Sequence, residues 1–382
     1  MNWDKIGDIS GLKIISKIGT ANIIGNAISA LFWLYLAGLL GTKNYGELSY
    51  FIAIAGIGTS VTLLGGPQSI TVYVAKGIKI QPPIYLVSIV SSAIAAIVLF
   101  FSFDNIGVSF YVVGAVIYNL AVSEFLGRKL YKKYSMYFIL QKILFVLFSL
   151  TLYYLIGPQG VLVGVGLSFS PFAIQIYRTF KEIKLDFSVL KNRMGFITNN
   201  YFLDLITVSA SQIDKLVIGP FFGFALLGNY YLALQVLALF SMVPEIVVKY
   251  TLPEDASGKS TRSIKIITVF SSFILAALGF FIAPILIPIF FLEYENAVDL
   301  IPIISLAIIP ITITSMYTSK FLGEEKSRYL IASNVIAIII LILGIFSLGE
   351  VLSIKGIAIA FVLSGAARTI YLVVTDFMRN KN

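Results

Sequence analysis

The chain of 382 residues has no cysteine and no histidine, and only 12% of it is Asp, Glu, Lys or Arg. Without cysteine, disulfides, thiolate nucleophiles and thiolate metal sites are excluded. Without histidine, the side chain that titrates near neutral pH and most often ligates metals is missing. Soluble domains carry about 25% charged residues, so the shortage of charge excludes a soluble fold of this length. What is present is apolar: 58% of residues are hydrophobic, with 30 Phe and 21 Tyr, and the mean hydropathy is +0.93. That balance belongs to a polytopic membrane protein. The net charge of +9 does not point to nucleic acid, because the basic residues sit in short connections between apolar runs, where they orient a membrane chain. Met1 to Lys17 reads as a short amphipathic helix at the interface. The first apolar run follows without an A-x-A site, so no cleaved signal peptide is expected.

Twelve apolar runs approach the ~20 residues that cross a hydrocarbon core. They fall at 19–40, 47–75, 83–103, 108–127, 134–157, 160–180, 196–219, 224–250, 264–290, 298–319, 328–348 and 354–376. Pro67, Pro171, Pro244, Pro284, Pro288, Pro302 and Pro310 lie within or at the ends of these runs and are expected to kink them rather than break them. Of the 28 Lys and Arg, 23 gather on one side, in the amino terminus, the connections 76–79, 128–133, 178–193, 249–265 and 320–328, and at Arg379 and Lys381. Lys43, Lys215 and Lys355 fall on the other side, while Lys142 and Arg368 lie inside runs. The positive-inside rule then places both termini in the cytoplasm and the chain in the plasma (cytoplasmic) membrane.

The longest basic connection, 181–195, falls at the midpoint with six runs on either side. The expected fold is all-α, about twelve transmembrane helices as two six-helix bundles around a central cavity. Residues 1–180 form one bundle with the interfacial helix 1–17, residues 181–195 a cytoplasmic linker, and residues 196–382 the other bundle. An even number of runs per half makes the halves a parallel pseudo-two-fold repeat. Sliding the sequence by 182 residues sets Gly41 on Gly223, Gly46 on Gly228, Asn22 on Asp204 and Ser29 on Ser211. In the seventh run Asn200, Asp204, Thr207, Ser211 and Asp214 recur at spacings of four, three, four and three, an arc of roughly 80° on a helix. Lipid cannot solvate two carboxylates, so this stripe faces protein or water. The first run carries its own stripe, Asn22, Asn26, Ser29 and Trp33. The first helix of each half thus offers a polar face to a shared cavity.

Four stretches resemble a known family. The first is Leu39-Leu-Gly-Thr-Lys-Asn-Tyr45-Gly46, followed by Leu64-Gly-Gly-Pro-Gln and Val74-Ala-Lys76. The second is Ser211-Gln-Ile-Asp214-Lys-Leu-Val-Ile-Gly219, leading to Leu227-Gly228-Asn-Tyr230 and Leu252-Pro253. The third runs from Tyr294-Glu-Asn-Ala-Val-Asp to Phe321-Leu-Gly-Glu-Glu-Lys and Asn334, and the last from Ile354-Lys-Gly356 to Ser364-Gly. In order and spacing, over about residues 19 to 376, the chain resembles the oligosaccharide-lipid flippases of O-antigen type in the multidrug/oligosaccharidyl-lipid/polysaccharide exporter superfamily. The resemblance implies two six-helix bundles packed in a V. It also implies a non-enzymatic function, in which a polyprenyl-diphosphate-linked oligosaccharide moves from the cytoplasmic to the outer leaflet by alternating access. Members often carry an arginine late in the second span, where this chain reads Ser69-Ile-Thr-Val-Tyr73-Val.

Such a substrate needs a hydrated, partly cationic cavity for its head and a gap between helices for its tail. Lys142 and Arg368 are the cations available inside runs, Arg as a bidentate phosphate partner and Lys as a point charge. The plainer reading is that they snorkel, or neutralise Glu124 and Glu245. Asp204 reads as a coupling-ion or proton site, as a sugar-hydroxyl acceptor, or as an interhelical bond. Asp214 and Lys215 read as a gate or as a simple interfacial pair. Asn22, Asn26, Ser29, Asn200, Thr207 and Ser211 are candidates to hydrogen-bond the substrate, and Glu124 and Glu245 to couple or gate. No metal or cofactor is expected, and the coupling ion, H+ or Na+, stays open. Expected partners are the lipid-linked oligosaccharide, membrane lipids and glycan-assembly enzymes, with no nucleic acid. A multidrug or cation extruder of the same fold is the main alternative. A membrane glycosyltransferase or polymerase is disfavoured by outer loops of only a few residues and by the missing histidine.

Overall fold

The computed structural model describes residues 3–256, 261–324 and 326–379, with the backbone alone for 3–18, 249–250, 252–256 and 323. Every regular element among them is helical. In order they are α1 (Trp3–Leu63), α2 (Gly66–Ala75), α3 (Gln81–Phe103), α4 (Ile106–Gly127), α5 (Tyr131–Ile156), α6 (Pro158–Ser168), a 3-10 turn (Ser170–Phe172) and α7 (Ala173–Glu182). There follow α8 (Ser188–Lys191), α9 (Met194–Phe222), α10 (Phe224–Ala256), α11 (Arg262–Phe281), α12 (Ala283–Phe290), α13 (Glu295–Ser305), α14 (Ile308–Gly323) and α15 (Ser327–Arg379). Nine helices among the described residues are long and apolar enough to cross a membrane, and α13 with α14, bent by 43°, makes a tenth. Two of these hold two crossings each, because α1 breaks at Gly41 and α15 at Ser353. The protein is thus an all-α, multi-pass membrane protein with twelve crossings among the described residues.

Two details depart from the sequence reading. The α1 backbone is helical from Trp3 into the first crossing, so the segment expected to lie at the interface and the first span form one helix; residues 1 and 2 lie outside the described residues. Several prolines also mark helix starts rather than kinks. Pro67 and Pro284 occupy the first turns of α2 and α12, and Pro171 lies in the 3-10 turn. A first turn has no use for the missing N–H, so proline fits there at little cost. Pro288 and Pro302 do stay inside helices.

The internal repeat appears as matched geometry. Gly41 and Gly223, superposed by the 182-residue slide, both have left-handed φ, 69° and 95°, a conformation open to residues without a Cβ. Each ends the first crossing of its half. Beyond them the repeat meets itself. A Cβ on Gly46 would collide with the Phe224 carbonyl, and one on Gly228 with the Thr42 carbonyl. The slide equates Thr42 with Phe224 and Gly46 with Gly228, so the contact is reciprocal, as a local two-fold axis requires. The last hairpins match as well: Gly160 abuts the Leu152 carbonyl in α5–α6, and Gly356 the Leu348 carbonyl in α15.

The chain compacts into two units, Met1–Ser29 with Phe51–Val208 and Ala30–Tyr50 with Ser209–Asn382. In the first, Ile70, Tyr85, Val116, Leu120, Phe125 and Phe172 form the centre of a buried cluster. Asn105 caps α4 through its Oδ1, which accepts from the Gly107 and Val108 amides at 3.0 and 3.3 Å, and this cap fixes the turn after α3. In the second unit, buried Tyr45 and Tyr294 lie 6.2 Å apart between ring centroids. Tyr45 donates to the Trp33 carbonyl at 3.0 Å and Tyr294 to the Ala37 carbonyl at 2.8 Å. Satisfied hydroxyls make these rings pins for the Ala30–Tyr50 stretch.

Candidate functional site

Asn22, Asn26 and Ser29 of the α1 stripe lie on the first unit, and Trp33 falls in the second. Asn22 accepts from the Tyr134 hydroxyl at 2.9 Å through Oδ1. Asn26 is half-buried, and the Ser29 hydroxyl is buried without a partner. Close by on α5, the Lys142 side chain lies against Gly25, with its ammonium 5.2 Å from the Phe138 ring and 5.9 Å from Phe145. Asn22, Asn26 and Lys142 are thereby brought to one region of α1 and α5. The α9 stripe begins in the same unit. Asp204 is half-buried and takes a short bond, 2.6 Å, from the Ser60 hydroxyl. Asn200 and Thr207 turn their polar atoms back to the carbonyls of Phe196 and Leu203 at 2.9 and 2.7 Å. Such bonds to the preceding turn are the usual resort of these side chains on a membrane helix.

Glu124 is fully buried and differs from Asp204 in its surroundings. Its carboxylate accepts from Tyr85 at 2.7 Å, from Gln175 at 3.0 Å and from Thr179 at 2.7 Å. It also pairs with Arg128 at 2.6 Å, and Arg128 reaches on to Glu182 at 3.2 Å. These donors come from α3, α4 and α7, so the carboxylate clamps three helices at one end of the unit. Neither Lys142 nor Arg368 neutralises it, contrary to the plainer sequence reading. The reason is helical geometry: Arg128 follows at i+4 and is already in reach.

The second unit holds the rest. Asp214 is 3% exposed and Lys215 7%, so the pair is buried within the protein. The carboxylate takes the Lys215 ammonium at 3.0 Å and the Tyr230 hydroxyl at 2.8 Å, and the ammonium also donates to the Ser211 carbonyl at 2.8 Å. Elsewhere in the unit, α10, α14 and α15 enclose a cavity of about 490 Å³. Its wall includes Glu245, Ile311, Thr314, Ser315, Thr318 and Arg368. Thr314 and Thr369 share a hydrogen bond of 2.8 Å behind it, while the Arg368 Nε is buried without an acceptor. Lys355 pairs with Asp299 at 3.0 Å on an exposed surface.

The structure therefore gathers Arg368 and Glu245 on one wall, Asp214 with Lys215, and Lys142 with the α1 asparagines, but leaves Glu124 in a separate network. Three partners had no signal in the sequence. Ser60, Tyr134 and Tyr230 lie in apolar runs with no periodic polar pattern, and each meets its mate across a long chain separation or from a neighbouring helix.

No family model matches the chain, and no curated protein does. Solved structures do. Over 93% of this chain and 94% of the other, it superposes on an inward-facing multidrug resistance MATE family transporter of the MOP superfamily, with a TM-score of 0.73 and 14% identity. The lipid II flippase MurJ in an inward closed conformation matches over 94% of this chain and 87% of its own, with a TM-score of 0.72 and 13% identity. A MATE protein in a bent conformation matches over 96% and 95%, with a TM-score of 0.62 and 13% identity. The twelve crossings, the paired glycine breaks and these superpositions agree that the chain shares the fold of these MATE and MurJ structures.

Proposed function

We propose that the protein is a flippase, not an enzyme, for a polyprenyl-diphosphate-linked oligosaccharide, moving it from the cytoplasmic to the outer leaflet by alternating access. One observation carries this reading: among the described residues, two cations inside the membrane spans, Lys142 and Arg368, are left without a counter-ion. Glu124 and Asp214 are saturated by Arg128, Lys215 and hydroxyl donors. Among the described residues no carboxylate pairs with Lys142 or Arg368. A guanidinium or ammonium held in a low-dielectric site without a partner favours an anionic ligand. A diphosphate head supplies that anion, and the hydroxyls beside Arg368 suit its sugars. Asn22, Asn26, Ser29, Asn200, Thr207 and Ser211 are assigned to the same hydrogen-bonding task. The basic connections then face the cytoplasm of a cell with a polysaccharide-building envelope, where they gather anionic headgroups and stand near the glycan-assembly enzymes. Asp214, Lys215, Glu124 and Glu245 are left to structural or gating roles.

Asp204 favours a second reading. It is a half-buried carboxylate with one hydroxyl partner, Ser60, and so suits a proton, a sodium ion or a cationic drug. The deciding experiment is reconstitution into liposomes with a fluorescent lipid-diphosphate oligosaccharide, scoring its appearance at the far leaflet. Translocation that is saturable and lost in Arg368→Ala supports the flippase. A lipid that stays put while a cationic dye is expelled under an ion gradient, with loss in Asp204→Ala, replaces it with a multidrug exporter.

A further inference from the structure

Helices α1 and α5 touch at Gly25, where an added Cβ would collide with the Phe138 ring and stand 3.2 Å from the Lys142 Cγ. Next to that contact the helices leave a groove of about 480 Å³, walled by Ile28, Val146, Leu147, Leu150, Thr151 and Tyr154. Val146 and Leu150 follow Lys142 at i+4 spacing, so the lysine stands at one end of a stripe that is apolar from there on. Its ammonium rests on the faces of Phe138 and Phe145. Ring faces attract a cation but bring no negative charge, and the ammonium is left to seek an anion.

Depth decides which anion. Lys142 is eight residues past Tyr134, where the apolar run begins, or ~12 Å along the helix. That is more than a third of a ~30 Å hydrocarbon core. A resident phospholipid keeps its phosphate at the interface and leaves such a lysine unserved. The groove runs from Ile143, the residue after Lys142, to Tyr154, ~16 Å further from the basic connection 128–133. A phosphate on Lys142 with its chain in the groove has the posture of a basic-side lipid displaced ~12 Å toward the bilayer centre.

We propose that the groove between α1 and α5 holds the apolar chain of a polyprenyl-type lipid whose phosphate sits on Lys142. This rests on the reading that the chain carries a polyprenyl-linked anion, and it adds where that chain lies during transfer. The test uses the full chain in detergent and a photoactivatable farnesyl phosphate, with the crosslinked peptide mapped. Labelling is expected within residues 143–154, competed by unlabelled farnesyl phosphate and not by farnesol, inorganic phosphate or phosphatidylglycerol. Lys142→Gln is expected to raise the half-competing concentration about tenfold, Lys142→Arg to restore it, and Leu147→Trp to abolish labelling. Equal competition by farnesol or phosphatidylglycerol, or labelling elsewhere in the wild type, overturns the site without need of any variant. Because labelling is read without transport, a labelled groove in a protein that flips nothing removes the proposed function and leaves the site. Full flipping by Leu147→Trp does the reverse.

Discussion

Asp214 and Lys215 are adjacent in sequence and buried together, so each charge depends on the other and on Tyr230. Removing one member of a buried pair strands the other, which costs more than the pair contributes. Asp214→Ala is therefore expected to lower stability by about 3 kcal/mol, because the ammonium keeps only the Ser211 carbonyl and the Tyr230 hydroxyl loses its acceptor. Asp214→Ala combined with Lys215→Met removes both charges and is expected to recover most of that loss. Thermal unfolding in detergent measures both, and a double variant no better than the single one would sink the argument. The same logic separates the acids by role. Glu124 has a donor on every side and serves as a clamp, whereas Asp204 has one hydroxyl and keeps capacity for a ligand. Sequence periodicity located both carboxylates inside spans. It could not rank them, because the donors to Glu124 arrive from α3 and α7 and the donor to Asp204 from α1, 144 residues away along the chain.

At the scale of elements, the helix breaks are where sequence and structure agree most closely. Gly41 and Gly223 were paired by a slide of the sequence, and both prove left-handed. The slide also paired Gly46 with Gly228 but said nothing of their touching each other, since contact between repeats leaves no trace in either repeat alone. The final hairpins escaped the slide. Gly160 and Gly356 occupy the same place in their hairpins, yet an insertion in the second half moves them out of the 182-residue register. Proline was misjudged for a physical reason. The same residue kinks a helix from within and starts one from its first turn, and only the neighbouring backbone decides which. The reciprocal glycine contact predicts a sharp contrast along one helix. Gly46→Ala and Gly228→Ala place a methyl against a backbone carbonyl, and overpacking of that kind is expected to cost about 1–3 kcal/mol. Gly38→Ala, on the same stretch of α1 with nothing within 4 Å of its added carbon, is expected to be neutral or to stabilise by roughly 0.5 kcal/mol. Equal unfolding temperatures for Gly46→Ala and Gly38→Ala would remove the contact from the account.

For the whole molecule, direction of transport depends on which face carries the basic connections, and the composition offers a clean way to ask. The protein has no cysteine, so any thiol placed in it reports its own position without background. Lys129 and Asp186 are exposed in connections on the basic side, while Gln159 and Asn296 are exposed at the opposite ends of the crossings. Single variants Lys129→Cys, Asp186→Cys, Gln159→Cys and Asn296→Cys each add a thiol outside the hydrocarbon core, where it titrates and reacts as an ordinary exposed thiol. With the Lys- and Arg-rich face held in the cytoplasm, a membrane-impermeant maleimide added to intact cells is expected to label Gln159→Cys and Asn296→Cys within minutes. Lys129→Cys and Asp186→Cys are expected to react only after the membrane is opened. The reversed pattern would put the basic rim outside, where no cytoplasmically made lipid-linked glycan can be gathered, and the flippase reading would lose its direction along with its electrostatic rationale. Labelling of all four from outside would mean that the twelve crossings do not alternate as the fold requires. The expected pattern instead sets Lys142 ~12 Å in from the cytoplasmic rim, at a depth where a phosphate in transit needs a counter-charge.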